Sequence, residues 1–197
     1  NMKEFEWYIG IDEVGRGPLA GPVTVCAVAF KSRKISFLKG IKDSKKLSEK
    51  ERTLWSEVIE QKKHDGDIIF SIQSCDSGAI DELGIVPSIK ISISDALKKL
   101  DISPESSMVF LDGGLCAPKE YIYQETIVKG DEKEPLISAA SVVAKVHRDE
   151  FMTKQSILYP EYGFSEHKGY GTSAHYEAIK KHGLCKIHRR SFLNDFL

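Results

Sequence analysis

The sequence lacks the features that mark membrane, secreted and zinc-thiolate proteins. No stretch of its 197 residues approaches the roughly 18 consecutive apolar positions that a membrane-spanning helix requires. Only four cysteines occur, Cys26, Cys75, Cys116 and Cys185. They lie far apart with no C-x-x-C pair, so neither a zinc site nor a disulfide framework is expected. Buried, reduced thiols in a cytoplasmic protein are expected instead. No basic-then-apolar leader precedes the first apolar run, which agrees with that location. A large charge of one sign is also missing. The formal net charge is −1, so global electrostatics does not announce a nucleic-acid binder. There is no internal repeat and no low-complexity linker, and the length suits one domain over residues 1–197. With 41% hydrophobic and 29% charged residues, the composition is that of an ordinary globular protein.

The charge distribution is less even than its sum. Between His167 and Arg190 lie Lys168, Lys180, Lys181, Lys186, Arg189 and Arg190, four of the six histidines, and one acid, Glu177. This segment is expected to form a local basic surface.

Periodicity divides the chain into elements. Residues 7–12 and 22–30 read as strands joined by a short Gly/Pro-rich link, an antiparallel hairpin. Ser48 with Glu51 three residues on is a capping box, and Leu54, Trp55, Val58 and Ile59 form the apolar stripe of the helix it opens. Residues 67–74 read as a strand. Residues 88–100 alternate like a strand but also carry a helical stripe, and a helix is favoured. Residues 107–114 and 120–131 read as strands, 135–159 as a long helix, and the tail holds a helix near 173–182. The expected class is α/β: a mixed sheet of about five strands flanked by helices, with a short helical C-terminal part from about residue 160.

Three of these strands end in acid: Asp12-Glu13, Asp112 and Asp131. Placed side by side, the strand ends would bring four carboxylates to one edge. Such a cluster repels itself and resists desolvation, so it calls for cations. An all-oxygen donor set without His or Cys points to Mg²⁺ or Mn²⁺. Two such ions about 4 Å apart would clamp the attacking and leaving oxygens of a phosphodiester. The adjacent Gly15-Arg16-Gly17-Pro18-Leu19-Ala20 formally matches the dinucleotide-binding glycine pattern, but that pattern must open a helix. Here Pro22 and a Val-rich strand follow at once. The glycines flanking Arg16 serve another use, letting a ligand approach the main chain closely. Beside a metal site, such a loop could touch the 2′-hydroxyl that distinguishes RNA from DNA.

The segments "IDEVGRGPLAGPV", "DSKKLS", "LDGG", "IVKGD", "ISAASVVAKVHRD", "HKGYGT" and "IHRRSF" together resemble the bacterial type 2 ribonucleases H, the ribonuclease HII family. The resemblance implies a ribonuclease H-like fold and, as metal ligands and catalytic acids, Asp12, Glu13, Asp112 and Asp131. It implies substrate recognition by Gly15, Arg16 and Gly17 through main-chain contacts to the 2′-hydroxyl, and by Tyr170, stacked on the sugar at the RNA–DNA junction. Lys45 or Lys46, with Lys168, are implied as phosphate contacts. Asp149 lies in a family block and is read as supporting its helix. Gly114 departs from the family pattern, which has Asn there. The implied activity is endonucleolytic cleavage of the RNA strand of RNA–DNA hybrids and of DNA 5′ of a single embedded ribonucleotide. Two Mg²⁺ or Mn²⁺ ions and a monomeric protein without a membrane partner are implied as well. The rivals are a non-catalytic nucleic-acid-binding module on the same fold, and a nuclease of that fold that cuts DNA junctions.

Overall fold

A computed structural model describes residues 4–41 and 46–194. Five strands form one sheet: β1 (Trp7–Val14), β2 (Val23–Phe30), β3 (Ile68–Cys75), β4 (Ser107–Asp112) and β5 (Gln124–Ile127). Their order across the sheet is β3-β2-β1-β4-β5. β1 pairs antiparallel with β2 and parallel with β4. β3 extends the antiparallel side and β5 the parallel side. The expected mixed sheet is therefore present, with β1 at its centre.

Both faces are covered, which explains the unbroken apolar run of β2. Val23, Val25, Ala27 and Ala29 join a core with Ile89, Ile93, Ala96, Leu97 and Leu100 of α3 (Ile85–Leu100). Cys26, Val28 and Phe30 join a second core with Leu136, Ile137, Ala140, Val143 and Ala144 of α5 (Pro135–Leu158), and with Ile59 of α1 (Glu49–His64). The two-residue period of the strand thus sorts its side chains between two helix layers. A third core joins Leu19 and Ala20 to Met152 of α5 and to Tyr162, Phe164, Ile179 and Leu193 of the C-terminal part. That part holds the short α6 (Phe164–His167) and α7 (Ser173–His182). Among the described residues, no helix is long and apolar enough to cross a membrane.

The capping box forms as expected. Ser48 Oγ accepts from the Glu51 N–H, and the Glu51 carboxylate accepts from the Ser48 N–H. The stripe of α1 is only partly a core stripe, because Leu54 and Val58 stay exposed and Ile59 is the position fully buried. The helix expected over 88–100 begins earlier, at Ile85, with Pro87 in its first turn, where a missing N–H leaves no bond unmade. A short helix unforeseen in the sequence, α2 (Ser77–Leu83), is capped by Asp76.

The strand expected over 120–131 shrinks to Gln124–Ile127. The Gln124 amide accepts from the Ala117 N–H and donates to Tyr121 O at 2.8 and 2.9 Å, holding the preceding residues as a loop. Asp131 consequently sits not at a strand end but in α4 (Gly130–Lys133). The thiols are free, but only Cys26 is buried, and Cys116 is exposed.

Gly10, at the middle of β1, sets how closely α5 lies on the sheet. A Cβ there would fall 2.1 Å from Leu136 O at the start of that helix. Gly10→Ala forces the helix off the strand that carries Asp12. Overpacking of this kind typically costs about 1–3 kcal/mol, roughly 2–4 °C of Tm per kcal/mol for a chain of this size. Thermal unfolding should therefore show a Tm lower by several degrees. An unchanged Tm would mean that α5 is free to shift and that Gly10 does not set the spacing.

Candidate active site

The site is built at the end of the parallel pair. Ile11 of β1 lies beside Leu111 of β4, so the next residues, Asp12 and Asp112, reach the sheet edge together. Asp131 arrives from the other direction, at the start of α4. Carboxylate oxygens of Asp12, Asp112 and Asp131 all lie within 4.8 Å of one another. Asp112 Oδ1 accepts from the Gly130 N–H at 2.6 Å and the Asp131 N–H at 3.4 Å, which ties α4 to the strand end. Glu13, the next residue of β1, lies beside this triad and lines the same cleft as Asp12 and Asp112. Its Oε1 is 3.9 Å from the Arg16 guanidinium, and its Oε2 is buried without a hydrogen-bond partner.

The electrostatics match this crowding. Burial, more than any other cause, holds the Asp12 carboxyl well above its ordinary value, and the charges of Glu13 and Asp112 push it further up. A hydrogen bond with Ser141 opposes the rise. Burial also raises the Glu13 carboxyl. An orphaned buried carboxylate oxygen beside three converging carboxylates, with oxygen the only donor, fits a hard divalent cation.

A cleft of about 130 Å³ opens on this cluster. It is lined by Asp12, Glu13, Asp112, Ser141, Lys145 and Tyr170. Ser141 and Lys145 are four residues apart on α5 and face the acids together. Lys145 Nζ donates to Asp149 at 2.7 Å, and burial pushes its ammonium pKa down. Sequence reasoning missed both residues. Their signal was present, as a polar i, i+4 pair in the Ala/Val-rich helix "SAASVVAKV". Asp149, expected to support its helix, does so as the buried partner of Lys145.

The loop that follows β1 is held from behind by two arginines, and each is fully buried. Arg148 of α5 donates to the carbonyls of Ala20, Pro22 and Lys168 at 2.9–3.0 Å. Arg189 donates to Gly15, Arg16 and Gly21 at 2.6–3.1 Å. Burial, and then the neighbouring Arg148 charge, bring the Arg189 pKa down to about 9, so the group stays charged at neutral pH. Of the basic surface expected over 167–190, Lys180, Lys181, Lys186 and Arg190 are exposed, whereas Arg189, His175 and His188 point into the protein. Gly15 has φ +85°, and a Cβ there would lie 2.2 Å from Arg148 Nε. Arg16 and Gly17 are exposed, and nothing lies within 4 Å of a Cβ built on Gly17.

Of the residues expected from the sequence, Asp12, Glu13, Asp112, Asp131 and Tyr170 come together. Gly15, Arg16 and Gly17 stand next to them along the chain. Lys46 lies outside the cleft and pairs with Glu132 of α4. Lys168 is placed in the turn before Tyr170, with its ammonium on Ser165 O. Lys45 lies outside the described residues.

Residues 9–195 match the ribonuclease HII family. The chain belongs to the ribonuclease HII family. It is 45% identical over 188 residues to ribonuclease HII of Clostridioides difficile, covering 95% of this chain and 70% of that protein. It is 43% identical to ribonuclease HII of Chloroherpeton thalassium, covering 96% and 91%. Among solved structures it is similar to ribonuclease H2 of Pyrococcus horikoshii, with a TM-score of 0.72 and 27% identity over 94% of this chain and 93% of that one. Ribonuclease HII enzymes are metal-dependent endoribonucleases, and the fold is ribonuclease H-like.

The raised acids have a consequence for stability. Between the ordinary carboxylate value and the raised one, the folded protein keeps a proton that the unfolded chain has lost, so stability falls as pH rises through that window. Without divalent metal, Asp12→Asn should therefore raise Tm at pH 8 and raise it less near pH 4. Added Mg²⁺ or Mn²⁺ should stabilise the unaltered protein more than the variant. A variant less stable than its parent at pH 8 in EDTA would contradict the assignment of charge crowding at Asp12.

Proposed function

We propose that this chain cuts the RNA strand of RNA–DNA hybrids and also cuts DNA on the 5′ side of a single embedded ribonucleotide, leaving 3′-hydroxyl and 5′-phosphate ends. The observation that carries the reading is the convergence of Asp12, Asp112 and Asp131 around one point, with the unpartnered Glu13 oxygen and Tyr170 in the same cleft. Asp12, Glu13, Asp112 and Asp131 would hold two divalent ions, Mg²⁺ or Mn²⁺, which when bound supply activation of the attacking water and charge stabilisation at the leaving 3′-oxygen.

The remaining roles belong to the protein's own groups. The main chain at the exposed residues Arg16 and Gly17 would face the ribose, where an N–H or the Gly17 carbonyl can meet a 2′-hydroxyl, both donor and acceptor. Tyr170 offers a half-exposed ring on which a sugar can rest. Lys145 brings a positive charge to the phosphate side of the cleft, and Asp149 orients its ammonium. Lys46, Lys45 and Lys168 contribute phosphate contacts that carry affinity without sequence preference. The protein acts as a monomer and a single catalytic domain, its C-terminal part included.

Asp112→Asn keeps the shape of the site and removes one charge. Cleavage should fall by at least about two orders of magnitude, the scale of losing one electrostatic stabiliser, while hybrid binding in a gel-shift assay stays near the parent's. Normal turnover by this variant with Mg²⁺ would sink the assignment. Gly17→Ala adds a methyl group that meets nothing in the protein, so any effect comes from the substrate side. The ratio of cleavage at a ribonucleotide to cleavage at a deoxynucleotide should drop, and an unchanged ratio would argue against main-chain readout by this loop.

A further inference from the structure

Behind Tyr170 lies a chain of histidines whose protons are fixed at both ends. The Cys185 N–H donates to His188 Nδ1 at 2.9 Å. A main-chain N–H is always a donor, so Nδ1 of His188 carries a lone pair. The proton of the neutral ring is then on Nε2, which faces His175 Nε2 at 3.0 Å. His175 must accept there and carry its own proton on Nδ1, 2.9 Å from Tyr170 O, a group that can only accept. One tautomer of each ring satisfies all three contacts. A second proton on either ring would set two N–H groups against each other. Both rings are buried, and burial holds each pKa down to about 4, leaving them neutral.

The chain runs between the two halves of the recognition site. His188 pairs through its main chain with Ala20, and the next residue, Arg189, grips the carbonyls of Gly15 and Arg16. His175, in the first turn of α7, grips the carbonyl of Tyr170 itself. His167 stacks on His175 with centroids 4.3 Å apart, and its Nδ1 accepts from the Gly169 N–H. The other titratable groups around the pair are Tyr162, Cys185 and Arg190. None of these histidines lines the acidic cleft, and the reaction proposed above has no proton for them to carry.

We propose that the His175–His188 pair is a positioning device, which fixes the Tyr170 main chain relative to the Gly15–Gly17 loop and so sets how well the enzyme discriminates a ribonucleotide junction. The inference rests on the reading of Tyr170 as the residue that senses that junction. His175 and His188 are positioning residues and touch no reacting atom.

The test compares cleavage of a DNA duplex bearing one ribonucleotide with cleavage of a long RNA–DNA hybrid. His175→Leu removes the donor to Tyr170 and should lower the single-ribonucleotide rate relative to the hybrid rate on the order of tenfold, since small misplacements near a reacting centre are costly. His175→Asn keeps an N–H where Nδ1 stood and should recover much of the ratio. In a Tyr170→Ala background His175→Leu should change the ratio no further. If Tyr170→Ala alone leaves the ratio unchanged, the reading of Tyr170 fails. If Tyr170→Ala shifts it and a folded His175→Leu does not, the positioning inference fails. The unaltered protein gives a check that does not depend on any variant folding. Long-range ¹H–¹⁵N spectra at pH 7 should show His175 protonated on Nδ1 only and His188 on Nε2 only. Any other tautomer, or a charged ring, overturns the proposal.

Discussion

Two buried guanidinium groups hold the loop proposed to recognise the substrate. Arg148 and Arg189 reach the segment 15–22 from two different parts of the chain and donate to five of its carbonyls. A buried charge is tolerable only when its hydrogen-bonding capacity is met, and buried carbonyls equally need donors. Each requirement answers the other. Hydrogen bonds from charged donors contribute about 1.5–3 kcal/mol each, enough together to fix a Gly- and Pro-rich segment that has no regular structure of its own. Because one arginine comes from α5 and the other from the C-terminal tail, the loop, the sheet and the tail are held as one unit.

The acidic cluster works against the fold in the same place. Desolvation and mutual repulsion lift the Asp12 and Glu13 carboxyls, so metal-free protein carries strain at the end of β1. The strand is well suited to bear it. β1 is central, paired on both sides, and covered by α5 at the close contact over Gly10. Stability is concentrated where the function needs charges that do not stabilise one another.

Much of this was legible in the sequence. Residues 7–12 and 22–30 signalled an antiparallel strand pair, Ser48 and Glu51 marked the start of α1, and acids at the ends of β1 and β4 marked the sheet edge. Other features were hidden for physical reasons. Asp131 looks like a strand end because "YIYQETI" has strand propensity throughout, while the Gln124 amide, invisible in one dimension, folds half of it into a loop. Arg189 and His188 look like part of a basic surface because composition records charge and not direction. The carbonyls of Gly15, Arg16 and Gly21, more than 160 positions away, turn Arg189 inward, and the Cys185 N–H and the His175 ring hold His188. Lys145 and Ser141 were obscured by a helix that reads as core packing.

The acids and the Gly15–Gly17 loop are proposed to act together on a ribonucleotide. The most direct measurement is incubation of an end-labelled DNA duplex containing one ribonucleotide with the protein and Mg²⁺, beside an all-DNA duplex of the same sequence. A single cut on the 5′ side of the ribonucleotide is expected, absent from the all-DNA duplex and abolished by EDTA. Cutting of both duplexes alike, or cutting that survives EDTA, would contradict it.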